Sequence, residues 1–173
     1  VERVAEVVVA RGGGDRGRRG SGYLVAPGRV LTAAHVVDGA SGIRVRFEAD
    51  RPGERIVTAD VVWRHRGIDV AVLGIPEAGP DDGATVETDG ERPCRRTGQL
   101  GGMSGAAVFS GGYLMGVVTR HHLSEGPGRI AAGRVDRWAE ALTPDELASL
   151  ERAVRGALRP QVLPDCPAAS SIR

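Results

Sequence analysis

Lysine and asparagine are absent from this chain, and all 23 basic residues are arginine. An arginine-only set of cations reads as the codon bias of a GC-rich bacterial genome, not as a mechanism. Aromatic residues make up only 3% of the sequence, so valine, leucine and alanine must fill any core. Cysteine is limited to Cys94 and Cys166. Neither sits in a CxxC or Cys/His cluster, which argues against a structural zinc site. Their pairing is left open. No metal-ligand or cofactor pattern appears, so neither is expected. No apolar run approaches the roughly 20 residues of a membrane span. A formal net charge of +1 gives no reason to expect nucleic acid or an acidic membrane as partner. The opening "VERVAEVVVARGGG" reads as strand and turn, not as a secretory leader. The location expected from this is the cytoplasm.

What is present suits a β protein. The 173 residues include 26 glycines and 10 prolines, with 41% hydrophobic residues. That composition excludes wholesale disorder and implies many turns. Six short β-like runs fill residues 1–75: 3–10, 21–27, 29–35, 43–49, 54–63 and 69–75. "RVAEVVVA" and "IRVRFEA" alternate apolar and polar residues, the mark of a strand with one wet face. Residues 11–20 read as a loop, with Arg16, Arg18 and Arg19 solvated. Six strands suffice to close a small antiparallel barrel. Residues 76–83, "PEAGPDDG", read as a linker.

Residues 84–135 carry weaker strand signals: 84–89, "AAVFS", "YLMGVVTR" and 129–135. Residues 136–159 then turn helical. Thr143-Pro144-Asp145-Glu146 has the form of a capping box with proline at the first helical position. Leu147, Leu150, Val154 and Leu158 form one apolar stripe, expected to pack on the barrel. Pro160 is expected to stop the helix, and residues 160–173 to form a tail.

Three polar residues occupy places where a β protein prefers apolar ones. His35 ends "VLTAAHVV", Asp69 opens "DVAVL", and Ser104 lies in "GGMSG". A serine hydroxyl needs a base to become a nucleophile at neutral pH. Histidine can take the proton and return it to the leaving group. A carboxylate fixes the imidazole tautomer. Histidine, aspartate, serine is one of three known chain orders for such a triad. His65 is the rival base. It lies four residues from Asp69, which on an extended chain is about 13 Å, too far for a direct pair. The GxSxG form of "GMSGA" also raises an α/β-hydrolase. The short, glycine-broken "AAVFSGG" behind the serine cannot supply the helix that fold requires.

With these motifs in place, the chain resembles the trypsin-like, chymotrypsin-fold serine peptidases. "GSGYLVAPGRVLTAAHVV" matches their histidine segment, "IDVAVL" the aspartate segment, and "GGMSGAAVF" with "GGYLMGVVT" the serine segment and following hairpin. "GPGRIAAGRVDRW" resembles the strand and helix entry that close the second barrel. The resemblance implies an all-β fold of two antiparallel barrels with a C-terminal helix. It implies a serine endopeptidase with His35 as general base, Asp69 as its orienting acid and Ser104 as nucleophile. Backbone N–H groups of Gly102 and Ser104 would form the oxyanion hole. Thr119, Arg120 and His121 would pair with the substrate backbone. Gly98 would lie near the base of the specificity pocket, with no sign of a preference for basic residues.

Met103 replaces the acid that precedes the serine in many secreted members, and Val36 replaces a common cysteine. Activation by a new N-terminus is therefore not expected. Both departures resemble bacterial intracellular relatives. "GMSGAAVF" is similar to peptidase modules of actinobacterial signalling or defence proteins. The partners implied are a protein or peptide substrate and a regulatory domain. The interval from Asp69 to Ser104, residues 70–103, is short for the strands it must hold. It implies an abbreviated second barrel, or an omission near 76–100. A latent scaffold that serves only for binding is the alternative function.

Overall fold

The alternation in "VAEVVVA" becomes strand β1 (Val4–Ala10), which turns Ala5, Val7 and Val9 inward. The computed structural model describes residues 3–12, 17–76, 103–110, 113–121 and 130–157. Five more strands follow: β2 (Arg18–Ala26), β3 (Arg29–Thr32), β4 (Gly42–Phe47), β5 (Arg55–His65) and β6 (Val70–Gly74). They close a six-stranded barrel in the order β1-β2-β3-β6-β5-β4, with every pairing antiparallel. Closure leaves none of the six with an open edge. On β4, Ile43, Val45 and Phe47 face inward. Arg46 faces out and ties Glu6 of β1 to Glu54 beside β5, at 2.5 and 3.0 Å.

A second antiparallel sheet has the order β7-β8-β9, with β7 (Ala107–Ser110), β8 (Tyr113–His121) and β9 (Ile130–Arg134). Helix α1 (Val135–Ala141) follows directly, then α2 (Pro144–Val154). The capping box forms as expected: Glu146 N–H donates to Thr143 Oγ1, and Thr143 N–H donates to Glu146 Oε2. Leu150 of the stripe is fully buried, and Leu147 and Val154 pack against the same core cluster as the barrel valines. Helix α2 touches β3 and β5, the strands that flank β6. Between those strands, Val70 to Leu73 of β6 are all buried.

Four expectations need correction. β2 begins at Arg18, inside the expected loop, because β1 recruits it: Val9 pairs with Arg18 and Val8 with Arg19. Arg18 and Arg19 therefore lie on a strand and not in a loop; Arg19 stays solvent-exposed and pairs with Glu6 at 2.9 Å. The strand expected over 29–35 stops at Thr32. The helical segment expected over 136–159 is two helices, parted at Leu142, whose backbone is extended. Helix α2 ends before Pro160, because Arg155 adopts a left-handed conformation. Residues 77–102, including most of the linker, the 84–89 strand and Cys94, lie outside the described residues, as do Leu158, Cys166 and the tail.

Candidate active site

His35 does not lie on β3. It lies on a single 3-10 turn, Ala34–Val36, that β3 enters after Thr32. Asp69 does not open β6 either. It closes the four-residue turn between β5 and β6 with a φ of +54°. Left-handed backbone is uncommon outside glycine, though aspartate tolerates it better than most residues. The conformation aims three acceptors at two neighbouring residues. The Asp69 carbonyl accepts from Ala34 N–H at 3.2 Å. Oδ1 accepts from His35 N–H at 2.9 Å, and Oδ2 lies 2.8 Å from His35 Nδ1. A carboxylate oxygen can only accept here, so in a neutral ring Nδ1 carries the proton and Nε2 keeps a free lone pair. The Asp69 side chain is 24% exposed and that of His35 37%. The acid is sheltered while the base is reachable.

Ser104 occupies a turn closed by Ala106 N–H donating to the Met103 carbonyl at 2.9 Å. Gly105, the third residue of that turn, has a φ of +91°. A Cβ there would stand 2.0 Å from the Ser21 carbonyl oxygen and 2.3 Å from Thr32 Oγ1. Only glycine fits at this approach to the barrel wall. The wall in turn holds the serine: Ser21 N–H donates to the Ser104 carbonyl at 2.7 Å. Thr32 Oγ1 donates to the Ser21 carbonyl, also at 2.7 Å. Val118 of β8 grips the other side, accepting from Gly105 N–H and donating to the Ala106 carbonyl. Gly20 is drawn in too, since a Cβ there would meet the Ser104 carbonyl at 2.9 Å. Ser21, Thr32 and Gly20 were not singled out from the sequence. The signal available was a threonine among the buried residues of "RVLTAA" and the alternating glycines of "GSG".

His35, Asp69 and Ser104 line one cleft of about 720 Å³, with Thr119, Gly133 and Trp138 on its far wall. All three expected catalytic residues are thus brought together. Among the described residues, the ring of His35 is hydrogen-bonded to Asp69 and not to Ser104. Long apo distances between nucleophile and base are common and shorten when substrate binds. Thr119 hydrogen-bonds the Ala131 carbonyl at 3.5 Å. Arg120 and His121 follow on β8, paired with β9 on one side. The β7 pairing ends at Val117. Among the described residues, the backbone edge at 119–121 is therefore without a β7 partner. Gly98 and Gly102 lie outside the described residues. Among the described residues, no group of His, Cys, Asp and Glu could hold a metal ion.

His65 is not an alternative base, but not because the chain is extended. The chain turns at 66–69, and the His65 ring accepts from Ile68 N–H through Nδ1 at 3.3 Å. Its Nε2 faces Glu146 Oε1 at 3.5 Å.

Residues 20–100 match the family model of the trypsin-like peptidase domain. The serine proteases Rv3671c and MT3772 of two Mycobacterium tuberculosis strains are each 39% identical over 61 residues. That segment is 35% of this chain and 14% of those relatives' length. The active form of the Rv3671c protease superposes with a TM-score of 0.56 at 20% identity, over 90% of this chain and 85% of that one. A serine endoprotease from Yersinia pestis gives 0.54 at 24% identity, over 88% and 63%. The resemblance to trypsin-like serine peptidases is borne out. So is the chymotrypsin-type fold: mostly β, with one closed barrel, a second antiparallel sheet and two helices.

Proposed function

We propose that this chain is a serine endopeptidase module that cleaves peptide bonds through an acyl-enzyme on Ser104. The observation that carries the reading is the doubly bonded Asp69–His35 pair opening into the same cleft as Ser104. His35 Nε2 takes the Ser104 proton as Oγ attacks the scissile carbonyl carbon. The imidazolium returns that proton to the leaving amine, and Asp69 stabilises it meanwhile. Water then repeats the cycle on the ester and frees Ser104. Gly102 and Ser104 N–H groups would hold the oxyanion, Gly98 would border the specificity pocket, and the 119–121 edge would pair with the substrate backbone. Met103 supports a mode of control other than a new N-terminus. A regulatory partner domain in a bacterial signalling or defence protein, acting in the cytoplasm, fits the motif resemblance. No nucleic acid, membrane or cofactor enters this reading.

A second reading is a latent or purely binding scaffold. It draws on one observation, that His35 and Ser104 are not hydrogen-bonded among the described residues. Cleavage of an unfolded protein substrate separates the two. The first reading expects cleavage by the wild type and none by Ser104→Ala. The second expects none by either, with both folded.

A further inference from the structure

The geometry points to His65 as a positioning residue for the catalytic acid, acting through the turn that carries Asp69. The inference rests on the peptidase reading above and extends it.

His65 is the last residue of β5 and pairs with Val70, the first of β6. Between them Arg66, Gly67, Ile68 and Asp69 reverse the chain, closed by Asp69 N–H donating to the Arg66 carbonyl at 3.2 Å. Inside that loop the Ile68 N–H meets a side chain, His65 Nδ1, at 3.3 Å. A side chain at position i accepting from the N–H of i+3 is the contact a helix cap makes, more often with Ser, Asp or Asn. Here an imidazole makes it, and the ring is seated on three sides. Trp63 stacks on it, with centroids 6.1 Å apart and planes 17° from parallel. A Cβ on Gly67 would stand 2.8 Å from His65 Cε1, so the ring packs directly against the glycine. Glu146 of α2 faces Nε2 at 3.5 Å. With Nδ1 as acceptor, a neutral ring carries its proton on Nε2, toward that carboxylate.

The consequence lies one residue on. The bonded Ile68 N–H belongs to the Gly67–Ile68 peptide, one unit before Asp69, and holding it restricts the turn that delivers the Asp69 backbone and side chain. Asp69 holds a left-handed φ of +54°, a conformation that persists only where its surroundings impose it. Its three bonds to Ala34 and His35 require that orientation. His65 thus fixes the Gly67–Ile68 peptide of that turn. It is a second histidine beside the site, outside the cleft lining, and it holds the turn without touching the nucleophile.

The test compares wild type, His65→Leu and His65→Asn. Asparagine keeps an acceptor where Nδ1 sits; leucine does not. The first readout is independent of activity: the far-downfield proton of the His35 Nδ1–H bond to Asp69. It is expected in wild type and His65→Asn, and lost or broadened in His65→Leu. The second is kinetic. His65→Leu is expected to lose about tenfold in kcat with KM changed less than about twofold, because a misplaced acid alters chemistry more than binding. His65→Asn is expected to stay within about twofold of wild type in both. Equal impairment of the two variants, or an unchanged dyad proton in His65→Leu, overturns the inference. Should His65→Leu not fold, the wild type decides alone. A coupling across the hydrogen bond between Ile68 N and His65 Nδ1 supports the assignment, and its absence in a well-resolved spectrum overturns it. An inactive wild type with the dyad proton responding as stated would sink the peptidase reading and leave this one standing.

Discussion

At the scale of single residues, Asp69 does two jobs. Its carboxylate takes both the backbone and ring N–H groups of His35, so the imidazole can neither tilt nor exchange tautomer without breaking a bond. Asp69→Asn preserves the shape but turns an acceptor pair into an acceptor and a donor. The expected result is a folded protein whose kcat falls about ten-thousandfold, as loss of the correct tautomer does in other triads. A steady-state assay beside a melting curve checks this, and a fall of only a few fold would mean that the tautomer is fixed elsewhere. Gly105 is the second residue of consequence. Gly105→Ala imposes a left-handed backbone on an L-residue, costing about 1–2 kcal/mol, before the clash with the Ser21 oxygen is counted. The melting temperature is expected to fall and the Ser104 turn to lose its seat. An unchanged melting temperature would show that the turn does not dock as described.

At the scale of elements, the three residues of the proposed triad are carried by connections rather than by strands. His35 sits on a 3-10 turn after β3, Asp69 on the β5–β6 turn, and Ser104 on the turn before β7. The strands are rigid posts whose ends converge. Helix α2 steadies one of them. Its capping box joins Thr143 to Glu146, and the Thr143 backbone and hydroxyl hydrogen bonds hold the Glu146 carboxyl below its ordinary value. A carboxylate whose folded pKa is depressed adds stability above its unfolded value, near 4.5, and that stability is lost as pH falls through the folded value. Thr143→Ala removes the cap and is expected to cost about 1 kcal/mol. It should also move the Glu146 carboxyl part of the way back toward its ordinary range, the Thr143 backbone N–H remaining as a donor. An NMR titration of Glu146 with denaturant unfolding of both proteins measures the two effects. A Glu146 titration that stays put would assign its shift to the backbone N–H and not to the Thr143 hydroxyl.

At the scale of the whole molecule, the two sheets meet where Ser104 is held. Ser21 N–H of the closed barrel donates to the Ser104 carbonyl, Thr32 Oγ1 braces Ser21, and Val118 of the second sheet bonds the adjoining Gly105 and Ala106. Much of this architecture is legible in the chain. Alternation in β1 and β4, the valine run of β6 and the capping box are local signals, and local sequence determines them. The order of His35, Asp69 and Ser104 likewise marks the site. What escapes the sequence is set by distant partners. β2 starts early because β1 offers a ladder to "RRG". His35 leaves the strand because Asp69 claims Ala34 and His35 N–H. His65 reads as a rival base because nothing in its neighbours announces the turn that points its ring at Ile68.

The central claim is that Ser104 is a nucleophile activated by His35. The direct measurement is covalent labelling with a fluorophosphonate, followed by peptide mapping of the adduct. The account predicts one adduct, on Ser104, that is abolished by Ser104→Ala and strongly slowed by His35→Ala. A folded wild-type protein that takes no label, or takes it at another serine, would contradict it.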